Sequence, residues 1–528
     1  MTSQPVGTHT AQAARTRLRC ARRRASLFAF LCAGVAGTCV PDESQAQAWF
    51  RELRVDSTVT ATDNGNLAPD DEKERDFIVS VQPGVHVERN GPHLELRLDA
   101  ALEFVDHLEG TQRDRALPSV EGVMTATLVE RLLFIDASAD VRQVELDPFG
   151  TRVAEGSTAN RRTASTYRIA PYLLREFSPR TSMLARHEEA WANQSGEEAP
   201  DLRTSASVVR FDIKPVPVGM LVELSRLDNS YTGDETEQLE VEAARVGGTI
   251  GLLDGDLVAG VVAGQERTRI EGSSSRTGDI YGATMQWTPS PRTDFLASAE
   301  HRFFGTGGRL RFRHRTPFTM LSIEALREPA TALTASGVQA SGSNVATYLD
   351  AILSRSMPDP VERAVRVQNQ LANLGLQSNL PGSVEVIADY AQLQTGVNVT
   401  WVMSTPRTTT TLSAYRQTLR QLDIPGEDED PGVAVSDNKQ WGLVAEFNRR
   451  LSPVTSLDLR GAYSRIRGLG ELEGDSSRET GAQVGLTRAL APRTGATAGV
   501  RFRKIKAEGE DLESHDVTSI FVGLSHRF

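Results

Sequence analysis

Apolar and polar residues alternate with a period of two through most of the chain beyond residue 48. In 94–104, Leu94, Leu96, Leu98, Ala100, Leu102 and Phe104 point one way, and Glu95, Arg97, Asp99 and Glu103 the other. In 132–142, Leu133, Ile135, Ala137, Ala139 and Val141 oppose Phe134, Asp136, Ser138, Asp140 and Arg142. Residues 441–450 repeat the pattern, with Trp441, Leu443, Ala445 and Phe447 against Glu446, Asn448 and Arg450. This is the signature of a strand with one apolar face.

The same reading predicts strands at 51–61, 76–88, 93–105, 117–129, 132–146, 162–176, 181–193, 201–214, 217–229, 237–252, 256–270, 277–289, 293–305, 307–315, 318–328, 386–404, 408–420, 438–450, 455–467, 479–490, 494–506 and 516–528. Every even-to-odd connection is short. Odd-to-even connections are longer and polar, as at 62–75, 106–116, 147–161, 421–437, 468–478 and 507–515, with 305–307 as the exception. Six of the short connections share one pattern, a small residue followed by Pro, any residue and Thr: Ser178–Thr181, Ser290–Thr293, Thr316–Thr319, Thr405–Thr408, Ser452–Thr455 and Ala491–Thr494. Proline presets φ at the second turn position and cannot donate within a sheet. Long strands joined by short turns on one side and long loops on the other predict an all-β fold: a large antiparallel transmembrane β-barrel of about 22 strands with both termini periplasmic. Trp191, Trp287, Trp401 and Trp441 fall near strand ends, where amphipathic rings favour the membrane interface. Aromatic content is only 6%, low for full girdles.

The alternation stops at 330–384. Residues 345–355 read as a short helix, and Asp359-Pro360-Val361-Glu362 as the start of another, with Asp as N-cap, Pro at the first helical position and Gly375 past the end. This helical insert is expected either as a hairpin on an extracellular loop or as a plug restricting the lumen.

The first 48 residues read as an export signal. Six arginines between Arg15 and Arg24 precede the apolar run 25–40, and Ala46-Gln47-Ala48 fits the cleavage rule, leaving Trp49 first and a barrel over 49–528. Cleavage would remove all three cysteines (Cys20, Cys32, Cys39), so no disulfide or thiolate site is expected in 49–528. The whole chain carries 58 basic and 69 acidic side chains, a net charge of −11, which argues against nucleic acid as a partner. No catalytic, cofactor or metal constellation emerges: the nine histidines are scattered, and no His-x-x-x-His or Glu-x-x-His pair occurs. The chain is therefore not expected to be an enzyme, and no cofactor is expected.

Two candidate sites remain. Arg309, Arg311, Arg313 and Arg315 alternate with Leu310, Phe312 and His314. An arginine on the lipid face costs about 2–4 kcal/mol at the midplane, so this basic row is expected to line the lumen. It reads either as a structural lattice with acids such as Glu300 or as a path for an anion or acidic polymer. Phe528 ends an alternating final strand in the manner of an assembly signal for the barrel-assembly machinery, although His526 departs from that pattern.

Several segments resemble one family. These are "TATDNGNLAPDDEKERDFIVSVQPGVHVERNGPHLELRLDAALEF" within 54–104, "RLLFIDASADVRQ" (131–143), "LDAILSRSMPDPVERAVRVQNQLANLGL" (349–376) and the Ser-Pro-x-Thr turns. They resemble outer-membrane proteins associated with PEP-CTERM protein sorting and exopolysaccharide loci. That resemblance implies a bacterial outer-membrane barrel linked to polysaccharide export or envelope biogenesis, and it carries over no functional residue. The function expected from the sequence is thus passage or export of an envelope polymer, with acidic exopolysaccharide as the partner besides outer-membrane lipid. A non-conducting structural or adhesive scaffold is the alternative, and a barrel enzyme is a more distant third.

Overall fold

A computed structural model describes residues 49–150, 160–195, 201–232, 238–270, 275–330, 349, 392–422, 437–509 and 512–528. The expected signal segment 1–48 and, apart from Ala330 and Leu349, the expected helical insert 330–384 lie outside the described residues.

Twenty-two strands follow one another. They are β1 (Phe50–Thr62), β2 (Asp76–Asn90), β3 (Leu94–His107), β4 (Arg115–Val129), β5 (Leu133–Glu145), β6 (Arg161–Ser178), β7 (Thr181–Gln194), β8 (Asp201–Ile213), β9 (Val218–Thr232), β10 (Gln238–Leu252) and β11 (Leu257–Ile270). The second half comprises β12 (Arg276–Ser290), β13 (Thr293–Arg302), β14 (Gly305–Arg315), β15 (Thr319–Ala330), β16 (Gln392–Ser404), β17 (Thr408–Gln421), β18 (Asn438–Ser452), β19 (Thr455–Gly468), β20 (Ser476–Ala491), β21 (Thr494–Glu508) and β22 (His515–Arg527). Each of the 22 runs read from the sequence holds one strand. Each strand pairs antiparallel with the next, and β1 pairs with β22 from Arg54↔Arg527 to Thr62↔Ser519. The sheet therefore has no free edge, the condition for a β-structure to satisfy its backbone in hydrocarbon.

The two faces of the wall separate as the alternation requires. Arg245 on β10 reaches Glu300 on β13 at 3.5 Å. Strands that far apart share side-chain contacts only on the concave side, so this face is the lumen. Cross-strand register then places Asp136, Arg168, Arg186, Glu223, Asp294 and Arg311 inward. Leu53, Val59, Val222, Leu224, Val261, Leu443, Val484, Val522 and Leu524 face outward and are exposed, as lipid-facing residues must be. A closed barrel with this outward face is an outer-membrane structure, and the bacterial outer membrane is where the chain resides.

Loop lengths sort by side. The even-to-odd connections are all tight, for example 179–180, 291–292, 453–454 and 492–493, whereas the longer described connections 63–75, 108–114 and 469–475 lie on the other, extracellular side. Trp287 and Trp401 sit toward the periplasmic ends of β12 and β16, and Trp191 and Trp441 toward the extracellular ends of β7 and β18. All four side chains are on the outward face.

Candidate functional site

The inward wall carries ion pairs in nearly every sector. Arg186 bridges Asp136 (2.7 Å) and Glu188 (3.4 Å), and Arg168 meets Glu188 at 3.0 Å. Arg245 lies 3.2 Å from Glu223, Arg460 3.3 Å from Glu446, and Arg503 2.6 Å from Glu479. At the seam, Arg527 on β22 faces Glu52 on β1 at 3.8 Å, and His86 lies 2.8 Å from Asp99. Partly exposed pairs of this kind each add only about 0–1 kcal/mol. Their main consequence is electrostatic: the wall is polar and wettable while its two signs largely cancel.

The basic row lies on this inward face, opposite Leu310 and Phe312, but carboxylates stand beside Arg309, Arg311 and Arg313. Arg309 pairs with Glu328 (2.8 Å), Arg311 with Asp294 (3.3 Å) and Arg313 with Glu324 (3.2 Å), while Arg315 donates to the Pro291 carbonyl (3.2 Å). Arg501 donates to Gln483 at 2.9 Å. Through Arg309, Arg311 and Arg313 the row is part of the ion-pair lattice rather than a free positive track for an acidic polymer. Phe528, the other candidate, closes the seam: its backbone N–H donates to the Leu53 carbonyl (2.8 Å), and its ring stands edge-on to His526 at 4.7 Å.

A second feature, not recognised from sequence, narrows the extracellular mouth. The β13–β14 connection, Phe303-Phe304, is the one tight extracellular turn among the described residues, with Gly305 at φ +91°. Phe303 and Phe304 pack inward against a buried cluster of Leu239, Val241 and Leu422, joined by Leu227 and Leu393. The cluster joins β9 and β10 to β16 and the end of β17, which are far apart along the sheet. Glu266 on β11 holds the turn in place. Its side chain is fully buried and accepts from Arg302 Nε (3.0 Å) and Nη2 (2.8 Å) and from the Phe303 backbone N–H (2.5 Å). The Arg302 guanidinium in turn covers both rings, 5.7 Å from Phe303 and 5.5 Å from Phe304. The only sequence signal was the 305–307 exception to the loop-length rule.

Opposite this turn along the rim, the 63–75 and 108–114 loops are clipped to the barrel by Asp76. Its carboxylate accepts from the backbone N–H groups of Phe77 (2.7 Å) and Glu109 (3.0 Å), from His107 Nδ1 (2.9 Å) and from the Thr111 hydroxyl. Both His107 and Asp76 side chains are almost wholly buried. Gly65 packs so closely that an added Cβ would collide with Asp76 Cβ. Lys73 ties the first loop to β22 through Asp516 (3.1 Å), and the Asp70 carboxylate beside it (2.7 Å) raises the lysine pKa above its ordinary value.

Val123 faces inward from β4 and is 54% exposed, so that sector of wall borders free space. Among the described residues no group of three or more His, Cys, Asp or Glu could hold a metal ion.

No family model matches the sequence, and no curated protein matches it. Solved structures do match. The apoprotein form of the FrpB iron transporter (F5-1 variant) from Neisseria meningitidis aligns over 90% of this chain and 81% of its own, with TM-score 0.50 and 10% identity. The siderophore receptor PirA from Pseudomonas aeruginosa covers 93% and 81% (TM-score 0.41, 10% identity). The ferric-catecholate import receptor Fiu from E. coli K12 covers 90% and 81% (TM-score 0.45, 8% identity). At these identities the likeness is one of fold. The sequence-based expectation of an exopolysaccharide-export barrel is corrected here: the solved barrel that aligns at TM-score 0.50 is an iron transporter, and Arg309, Arg311 and Arg313 of the row meant to conduct an acidic polymer are paired with Glu328, Asp294 and Glu324.

Proposed function

We propose that this chain is an outer-membrane uptake barrel that passes a hydrophilic solute inward through its lumen. The observation that carries the reading is the inward wall: charged and wettable, with paired signs, and narrowed at the outside by the Phe303-Phe304 turn. A wall of balanced charge lets a polar solute exchange hydrogen bonds along its path without trapping either ionic sign. A ferric chelate is the first cargo class to test, because iron transport and ferric import are named for solved barrels of this architecture. The likeness itself speaks for the architecture.

Cells expressing the protein should accumulate radiolabelled ferric chelate faster than cells lacking it. Liposomes containing the purified barrel should swell in small polar solutes with little preference for anions over cations. Equal accumulation together with non-swelling liposomes would remove the transport reading.

Two related proposals concern assembly and kinship. Phe528 serves as the signal read by the barrel-assembly machinery, a role supported by its place at the end of the closing strand. Kinship with the PEP-CTERM-associated outer-membrane proteins rests on the segments quoted above and concerns lineage only.

A further inference from the structure

The repeated Pro turns are more than connections. In five of the six the first residue carries a hydroxyl, which accepts from backbone N–H groups inside the turn. Ser178 Oγ accepts from Arg180 N (3.2 Å) and Thr181 N (3.1 Å), Ser290 Oγ from Arg292 N (3.3 Å), Thr316 Oγ1 from Thr319 N (2.9 Å), Thr405 Oγ1 from Thr408 N (3.0 Å) and Ser452 Oγ from Val454 N (3.3 Å). Side-chain bonding of this kind fixes the turn without using the third residue's side chain. That residue is arginine in four copies, Arg180, Arg292, Arg407 and Arg493, and all four are exposed.

The fourth residue, Thr, faces outward. Directly across from it on the next strand stand His314, Arg449, Arg488 and His526 in four of the six copies. From the β16–β17 turn round to β22, the periplasmic rim therefore presents Arg407, Arg449, Arg488 and Arg493 in sequence. The turns 405–408, 452–455 and 491–494 contain no acid, whereas the extracellular loop 63–75 contains five. Unlike the lumenal arginines, these four make no ion pair among the described residues. Exposed apolar side chains flank them: Leu451 (54%), Val454 (47%), Leu490 (57%) and Phe528 (61%).

We propose that this arc binds the phosphate headgroups of anionic phospholipids in the inner leaflet of the outer membrane. Guanidinium groups match phosphate oxygens in a two-pronged geometry. Arg449 and Arg488 face outward, Arg407 and Arg493 sit exposed in the turns beside them, and the apolar neighbours put these charges at the lipid interface, the position a headgroup occupies. This inference stands apart from the transport reading.

The test uses full-length protein in nanodiscs of equal phosphatidylglycerol and phosphatidylcholine, with retained lipid read by native mass spectrometry. Wild type should retain phosphatidylglycerol preferentially, and the preference should collapse at about 1 M salt, where charges are screened within a few ångströms. In the variant Arg407→Gln, Arg449→Gln, Arg488→Gln, Arg493→Gln it should vanish, at roughly five-fold per arginine removed. Lysine at the same four positions should restore much of it. Arg203→Gln with Arg269→Gln, on the outward face near the extracellular rim, should leave it intact. Equal retention of the two lipids by folded wild type would overturn the proposal. So would an unchanged preference in the quadruple glutamine variant, or capture of wild type by isolated peptidoglycan with no lipid preference.

Discussion

Glu266→Ala should destabilise the barrel by roughly 3–5 kcal/mol, the usual consequence of removing one partner from a buried pair. Arg302 would keep its charge in a site where only about a fifth of its side chain meets solvent, and the Phe303 N–H would lose its acceptor. The turn that Glu266 holds inward would also be released from Leu239, Val241 and Leu422. Two readings should move together. Urea unfolding of the folded barrel should shift to lower concentration, and liposomes carrying the variant should admit larger solutes than wild type. The double variant Glu266→Ala, Arg302→Ala should recover part of the stability, because no unpaired charge remains, but not the narrow mouth. Unchanged permeability with lost stability would mean that the Phe303-Phe304 turn does not restrict the path.

Asp76→Ala should have the next largest effect, concentrated at the opposite side of the mouth. Four donors converge on this one carboxylate: two backbone N–H groups, His107 and Thr111. Each buried donor left unsatisfied costs about 1–3 kcal/mol, reduced where relaxation admits water. The loss should be local, since the strands below keep their ladders. Limited proteolysis of intact cells should then cut within 63–75 or 108–114 in the variant and spare wild type. Asp76→Asn, which keeps one acceptor oxygen, should fall between the two. Resistance equal to wild type in the alanine variant would show that Lys73 and Asn64 hold the loops unaided; Asn64 already donates to Ala68 O (2.7 Å) and Asp516 O (2.9 Å).

The fold was legible because a lipid-facing wall imposes period two on every strand. Leu94 to Phe104 and Leu133 to Val141 show their outward faces without any knowledge of partners. Loop lengths then gave the two sides, and the Pro turns marked six of the periplasmic connections. The site was less legible, since charge partners depend on barrel curvature and register. Arg245 meets Glu300 across three strand positions, and nothing in the spacing of the two residues announces it. The same geometry hid the pairing of Arg309, Arg311 and Arg313: the row looks like a free positive track until β13 and β15 bring Asp294, Glu324 and Glu328 alongside. Glu266 was invisible for another reason. Its role exists only because one extracellular turn is short enough to fold inward, and that shortness stood out in sequence merely as an exception.

A lumen open to water behind a wall whose faces alternate residue by residue should show itself as alternating chemical access. Residues 49–528 contain no cysteine, so single cysteines introduced there report without background. Cysteine placed in turn at 120–125 on β4 can be challenged with a water-soluble maleimide in protein-containing liposomes. Glu121, Val123 and Thr125 face inward and should label, while Val120, Gly122 and Met124 face outward and should not. Uniform labelling, uniform protection, or labelling of the even positions would contradict it.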